Sequence, residues 1–148
     1  MKRTLLLLMA VSISGTAHAQ RPTCPAIEVS VVADTPGNST RSVALPDGRR
    51  VTLTQEPLVT SADVTGANAS LTEGQYVLNV DVTPAAAKRV QSFSEKNVGR
   101  TLAFLVDGHV LRMPRLLDPI TQNGFLIGAF ERSEAERLAK AINANCRP

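Results

Sequence analysis

Thr101-Leu102-Ala103-Phe104-Leu105-Val106-Asp107-Gly108-His109-Val110-Leu111-Arg112-Met113 is the stretch on which the fold turns. From Leu102 to Val106 every residue is apolar, with no alternation. A run this short and this uniform predicts a central strand buried on both faces. Asp107-Gly108 follows at once. Asp-Gly between two β-prone runs favours a type I′ hairpin turn, because both central residues need positive φ. His109 to Met113 is then the returning strand, and Pro114, which lacks an N–H, ends it.

Downstream, Asn123-Gly124 reads as a turn and Phe125-Leu126-Ile127-Gly128-Ala129-Phe130 as a further strand. Gly128 inside that strand predicts a bulge or a close backbone approach. Ser133 and Glu136 have the Ser-x-x-Glu spacing of a capping box. Ala135, Leu138, Ala139 and Ile142 make the apolar stripe of a helix over about 134–145. Upstream, Tyr76, Leu78, Val80 and Val82 alternate with Val77, Asn79 and Asp81, which predicts a strand with one face on the core. Thr83-Pro84 is an N-cap followed by proline at the first helical position. Ala86, Val90, Phe93 and Asn97 fall at helical spacing, and Gly99 suits a C-terminal cap. A helix over 84–97 is therefore expected to cross between two strands.

Nearer the N-terminus, Ile27, Val29, Val31 and Ala33 alternate with Glu28, Ser30 and Asp34 as in a half-buried strand. Turn residues cluster at 35–39 and 45–49, and Val51 to Thr54 is β-prone. From Pro57 to Gly74 the pattern weakens into a loop with a short helical turn. Asn38-Ser39-Thr40 and Asn68-Ala69-Ser70 match the glycosylation acceptor pattern, which would matter in a eukaryotic chain and go unused in a bacterial one. No internal repeat or low-complexity segment is visible. The fold expected is α+β: a two-layer sandwich with one mixed, mostly antiparallel sheet and two helices on one face.

Composition agrees and excludes some functions. The chain has 148 residues, 43% hydrophobic, 20% charged and 3% aromatic, with a formal net charge of +3. That is one domain, too apolar and too mixed in charge to be disordered. A nucleic-acid binder would show a clustered basic face and aromatic platforms. Here no basic cluster stands out, Trp is absent and there is one Tyr.

The N-terminus reads as an address. Lys2-Arg3 precedes an apolar run from Leu5 to Val11, and Ala17-His18-Ala19 precedes Gln20. This is the layout of a secretory signal over 1–19, cleaved between Ala19 and Gln20. The run is far short of the roughly 20 residues that span a bilayer, so stable membrane insertion after cleavage is not expected. An uncleaved anchor is the competing reading. A lipoprotein site at Cys24 fails, since Arg21-Pro22-Thr23 lacks the small apolar residues it needs. Cleavage would leave a single domain over 20–148, periplasmic or secreted, and would shed two positive charges. In an oxidising compartment Cys24 and Cys146 read as a disulfide that pins both ends of the domain.

Chemistry-bearing residues are sparse. His109 is the one histidine that cleavage would leave, beside the Asp107-Gly108 turn. It could serve a triad, but no serine lies in a nucleophile elbow. Asp63, Asp81, Asp107 and Asp118 are scattered. Two cysteines and one histidine without local spacing do not suggest a metal site. The glycines at 99, 108, 124 and 128 have backbone explanations and make no phosphate loop. No catalytic, cofactor or metal residue is assigned, and no enzyme is expected.

One resemblance gives direction. From about 50 to 142 the order Asn97-Val98-Gly99-Arg100-Thr101-Leu102-Ala103, Asp107-Gly108-His109-Val110, Pro114, Gly124 to Phe130 and Glu134-Ala135-Glu136 with Leu138-Ala139 resembles the head subdomain of the first periplasmic domain of SecD. SecD is the accessory subunit of the bacterial preprotein translocase. The segment Leu58 to Val64 resembles that family's lead-in to its Val-x-Leu strand, here Val77 to Val82. The chain departs from SecD in carrying no six-helix membrane part and in having Asn123 where the family often has glycine. The resemblance thus implies the fold and a polypeptide-binding role linked to protein export, with the chain as a stand-alone exported module. It does not imply proton-driven pulling, and it supplies no catalytic residue. The partner implied is a polypeptide or protein of the cell envelope. The competing functions are a dedicated partner subunit or inhibitor of one envelope protein, and a small periplasmic hydrolase. Strands 76–82 and 125–130 are expected to present the binding edge or face.

Overall fold

A computed structural model describes residues 24–146; the signal expected over 1–19, with its cleavage site at Ala19 and Gln20, lies outside them. Its strands and helices, in chain order, are β1 (Ile27–Val31), β2 (Thr40–Ala44), β3 (Arg50–Thr54), β4 (Val59–Thr60), a 3₁₀ turn (Ser61–Asp63), β5 (Val64–Thr72), β6 (Gln75–Val82), α1 (Pro84–Lys96), β7 (Leu102–Val106), β8 (His109–Arg112), β9 (Gly124–Phe130) and α2 (Arg132–Asn145). The class is α+β, with antiparallel strands and two helices. The single sheet expected divides into three: β4-β1-β7-β8, β2-β3 and β5-β6-β9.

β7 explains the division. Its five residues are all buried, between β1 on one side and β8 on the other. Side chains alternate across a strand, so Leu102, Phe104 and Val106 enter the main core, together with Ile27, Val29 and Val31 of β1. Ala103 and Leu105 point the other way and join Leu53 and Val110 under the β2–β3 hairpin. The hairpin is laid onto the sheet by the Val32–Leu53 bridge and the Ala33 N–H to Thr52 O bond at 2.9 Å. Beneath it Arg41 pairs with Glu28, which also accepts from the buried Ser30 hydroxyl.

The main core is closed from the opposite side by β6, β9 and both helices. Leu78, Val80, Phe125 and Ile127 meet Ala86 and Val90 of α1 and Ala135, Leu138 and Ile142 of α2. Both helices therefore lie on one side of β7, the hairpin on the other. Phe104 of β7 and Phe125 of β9 pack edge to face, centroids 5.7 Å apart at 72°, which stitches the two larger sheets together.

Local chemistry sets most boundaries. Asp107 (φ 50°) and Gly108 (φ 79°) are both left-handed, as the β7–β8 turn requires. Thr83 Oγ1 accepts from the Ala86 N–H at 3.3 Å, with Pro84 at the first helical position. α1 leaves the sheet of β6 and enters that of β7, so it joins two sheets rather than crossing within one. Cys24 and Cys146 are joined in a disulfide with Cα atoms 4.9 Å apart, which ties the lead-in to β1 to the end of α2.

Two further expectations need correction. The stretch 57–74 is mostly β4 and the nine-residue β5, closed onto β6 by a tight turn at Glu73 (φ 51°) and Gly74 (φ 80°). The short helical turn within it is Ser61–Asp63. The Ser133–Glu136 capping box does not form. α2 starts earlier, at Arg132, with Glu131 as a cap that makes no side-chain bond. The Glu136 carboxylate is taken instead by Arg132 Nε at 2.8 Å. Of the two alternatives expected at Gly128, the bulge is the one observed; the close backbone approach is at Gly124, where an added Cβ would lie 2.6 Å from Val80 O. Gly128 sits by the register shift between β6 and β9.

Candidate functional site

β8 and β9 are the outer strands of two different sheets. Arg112 ends β8 and reaches across: its Nε donates to Gly128 O of β9 at 2.8 Å, and its guanidinium lies 5.6 Å from the Phe130 ring centroid. Between the two edges runs the segment 113–123. Its first half extends the β7–β8 ladder. Leu102 N–H donates to Pro114 O (2.9 Å), Leu116 N–H to Arg100 O (2.8 Å) and Gly99 N–H to Leu116 O (2.7 Å). Gly99, at φ +92°, is where the chain leaving α1 turns to make that last bond. The second half is held by Ser94 of α1, whose buried hydroxyl accepts the Ile120 N–H at 2.8 Å.

β7, the start of β9 and this wall line a groove of ≈ 590 Å³, with Leu102, Phe104 and Phe125 at its base and Leu116, Leu117 and Ile120 on its wall. A hollow of ≈ 310 Å³ continues it past Phe104, Pro114 and Leu126 to Met113, Arg112 and Gly128. Among the described residues the exposed large apolar side chains are Leu71 (61%), Val98 (52%), Met113 (40%), Leu117 (74%) and Leu126 (58%). Three of those five gather here: Leu117 and Leu126 line the groove, and Met113, with Leu126 again, lines the adjoining hollow. Apolar exposure gathered in a concavity marks a contact surface, where scattered exposure does not.

The β9 edge is legible in its hydrogen bonds. Val82 N–H donates to Asn123 O at 3.0 Å, and Val80 faces Phe125. In an antiparallel ladder the inward and outward backbone groups alternate. Phe125 and Ile127 therefore turn theirs toward β6, and Gly124 and Leu126 turn theirs outward. Beyond the register shift the Gly128 carbonyl is the one that Arg112 Nε reaches. Charge at the groove is positive, since Arg115 lines the groove and Arg112 the hollow, with no acid among the lining residues.

The residues singled out by sequence scatter around this groove. Gly124 lines it, Gly128 lines the hollow, and Gly99 anchors its wall. Asp107 and Gly108 sit at the turn, where Asp107 Oδ1 accepts the Ala26 N–H at 2.9 Å. His109 is exposed at the start of β8. Asp63 is held below the usual carboxylate range. Burial alone would raise it, but the Thr60 N–H and the Arg89 guanidinium outweigh that. β6 cannot be the binding edge expected of 76–82, because β5 occupies one side of it and β9 the other. Sequence reasoning missed Arg112, Met113, Arg115 and Leu117. The available signal was Leu116-Leu117 inside a Pro- and Arg-rich loop, too apolar a pair for an ordinary connection.

Comparison with known proteins places this geometry. The family model for the SecDF P1 head subdomain matches residues 38–146, from just before β2 to Cys146. Protein translocase subunit SecD of Thermobaculum terrenum is 32% identical over 93 residues, covering 62% of this chain and 18% of that protein. SecD of Dictyoglomus turgidum is 36% identical over 76 residues, covering 51% and 19%. The chain thus spans about a fifth of the length of these relatives. A crystal structure of SecDF in its super-membrane-facing form superposes with a TM-score of 0.67 at 21% identity, covering 86% of this chain and 20% of that one. Another solved structure, of SecDF as a membrane component that enhances protein export, gives a TM-score of 0.66 at 20% identity over 97% of this chain and 74% of that one. Among the described residues no helix is long and apolar enough to cross a membrane. With the matched span running through every element of the groove, the chain belongs to the SecDF P1 head subdomain family.

Proposed function

We propose that this chain is a non-enzymatic, export-linked periplasmic module that binds polypeptide in the groove between β9 and the segment 114–122. The observation that carries the reading is the convergence of Met113, Leu117 and Leu126 on a groove and adjoining hollow bounded by an open strand edge. Unfolded secretory chains offer what such a surface takes: apolar side chains and unpaired backbone groups. Family membership supports the link to export, because the relatives are translocase subunits. The signal over 1–19 supports a periplasmic or secreted location, with a single functional domain over 20–148.

The test is in-cell photo-crosslinking from Leu117 and Leu126, with adducts read by mass spectrometry. Many unrelated exported chains are the expected result. One dominant envelope protein would replace this reading with that of a dedicated partner subunit or inhibitor. A control probe at Leu71, exposed but outside the groove, should give few adducts.

A further inference from the structure

We propose that the groove holds its polypeptide as an added strand on the edge of β9, and that it prefers a segment with alternating apolar side chains and a carboxylate placed to meet Arg115. This deepens the polypeptide-binding reading above and rests on it.

Three observations converge. The first is the phase of β9. Gly124 and Leu126 turn their N–H and C=O groups away from β6, toward the groove's opening. An exposed edge of this kind is a template for another strand unless it is blunted by charge, proline or a cover. The sequence Gly124-Phe125-Leu126-Ile127-Gly128 contains no charge and no proline.

The second is the limit of that template. At Gly128 the carbonyl is already taken by Arg112 Nε, whose NH1 also donates to Leu111 O at 2.7 Å. Arg112 therefore acts as a stop. It ends strand addition at Gly128 and leaves Gly124 to Leu126 as the docking length. A strand laid there turns alternate side chains inward, over Phe104, Phe125 and Leu117, and the others to solvent beside Leu126.

The third is charge. Arg115 lines the groove wall, its Nε fixed by a 3.0 Å bond to Gly99 O. Asp118 follows three residues later but is not part of the lining. A guanidinium held by its Nε presents the rest of its fork to a carboxylate. The occupant this favours is an extended segment of apolar residues with an Asp or Glu near one end.

The experiment uses the purified chain and labelled peptides of about nine residues, a common strand length, read by fluorescence anisotropy and amide NMR. The parent probe alternates Val and Thr and ends in Asp. A second probe is N-methylated at alternate amides, and a third carries Lys for Asp. The parent should saturate, with shifts confined to 114–117 and 124–128. N-methylation removes about two backbone bonds and should weaken binding roughly tenfold. The Lys probe should bind several-fold more weakly than the parent, and Arg115→Glu should reverse that order. Leu126→Pro removes an outward N–H without touching the β6 ladder, and should weaken binding several-fold while the circular dichroism spectrum is kept. Equal binding of the parent and the N-methylated probe would overturn strand addition and leave polypeptide binding standing. Unchanged charge order in Arg115→Glu would overturn the carboxylate preference. If neither the probes nor an unfolded apolar protein shifts any groove amide, the polypeptide-binding reading falls as well.

Discussion

β7 and β9 look alike as sequence and behave differently as structure. Leu102 to Val106 and Phe125 to Phe130 are both short apolar runs without strict alternation. β7 lies between β1 and β8, with the main core on one face and the β2–β3 hairpin on the other, and all five of its residues are buried. β9 has a partner on one side only, and Leu126 on its outer face is 58% exposed. An unbroken apolar run therefore has two physical meanings. It is either a strand covered on all sides or an outer strand with part of its apolar surface left open. Only the neighbours decide which.

The disulfide bears on both regions, because Cys24 leads into β1 beside β7 while Cys146 closes α2, which packs on the sheet of β9. With a separation of 122 residues, the chain-entropy model puts its contribution at about 5 kcal/mol. Cys24→Ser with Cys146→Ser should lower the urea midpoint accordingly. Hydrogen exchange should quicken in α2 and β5 before β7. The unreduced wild-type mass should be two hydrogens light.

A paired substitution separates the two strands directly. Leu105→Ala opens a cavity at a site 1% exposed, between β7 and the hairpin, and should cost about 2–5 kcal/mol. Leu126→Ala should change stability by less than ~0.5 kcal/mol while weakening peptide capture. Similar losses at the two sites, measured by chemical denaturation, would mean that β9 is no open edge.

Two glycines of β9 sharpen the same contrast. Gly124→Ala places a Cβ 2.6 Å from Val80 O, a backbone atom that cannot swing aside. It should cost about 1–3 kcal/mol and displace the start of β9. Gly128→Ala meets nothing nearer than Val77 Cγ1 at 3.9 Å and should be close to neutral. Thermal melts of the two variants make the comparison.

The smallest effect is expected at Asp63, in the 3₁₀ turn that links β4, in the sheet of β7, to β5, in the sheet of β9. Its native carboxyl lies below the ordinary range: burial opposes this, but the Thr60 N–H and Arg89 prevail. A lowered native pKa contributes stability above the unfolded value, and that stability is lost as pH falls through the native one. Asp63→Asn should thus cost under ~1 kcal/mol near neutrality, since Arg89 is half exposed. Wild type and variant should converge in acid, as pH-dependent denaturation would record.

Particular residues show what was legible. Alternation in β1 and β6, the uniform run of β7, the Thr83-Pro84 start of α1 and the stripe of α2 are local patterns, and each could be read directly. β5 was not, because Thr65-Gly66-Ala67-Asn68-Ala69-Ser70 is small and polar and carries little β signal. It is a strand because β6 supplies its ladder and because Asn143 of α2 grips Ala67, with its Oδ1 2.9 Å from the N–H and its Nδ2 2.7 Å from the carbonyl. The capping box at Ser133 failed for a similar reason: Arg132 captured Glu136. The groove was half visible. Gly124 and Gly128 were marked as special, but the Arg112 stop and the Leu117 wall depend on contacts across two sheets.

The sequence by itself determined the class of the fold, most of its elements and turns, the pairing expected of Cys24 with Cys146, and the resemblance that pointed to SecD. All of these rest on patterns within a few residues or on ordered motifs. Tertiary structure alone decided that the strands fall into three sheets, that β6 is central and β9 is an edge, and that Arg112 bridges two edges over a groove. Which strand stands next to which is a long-range packing outcome. Hydrophobic burial constrains how much apolar surface is covered, and not which neighbour covers it.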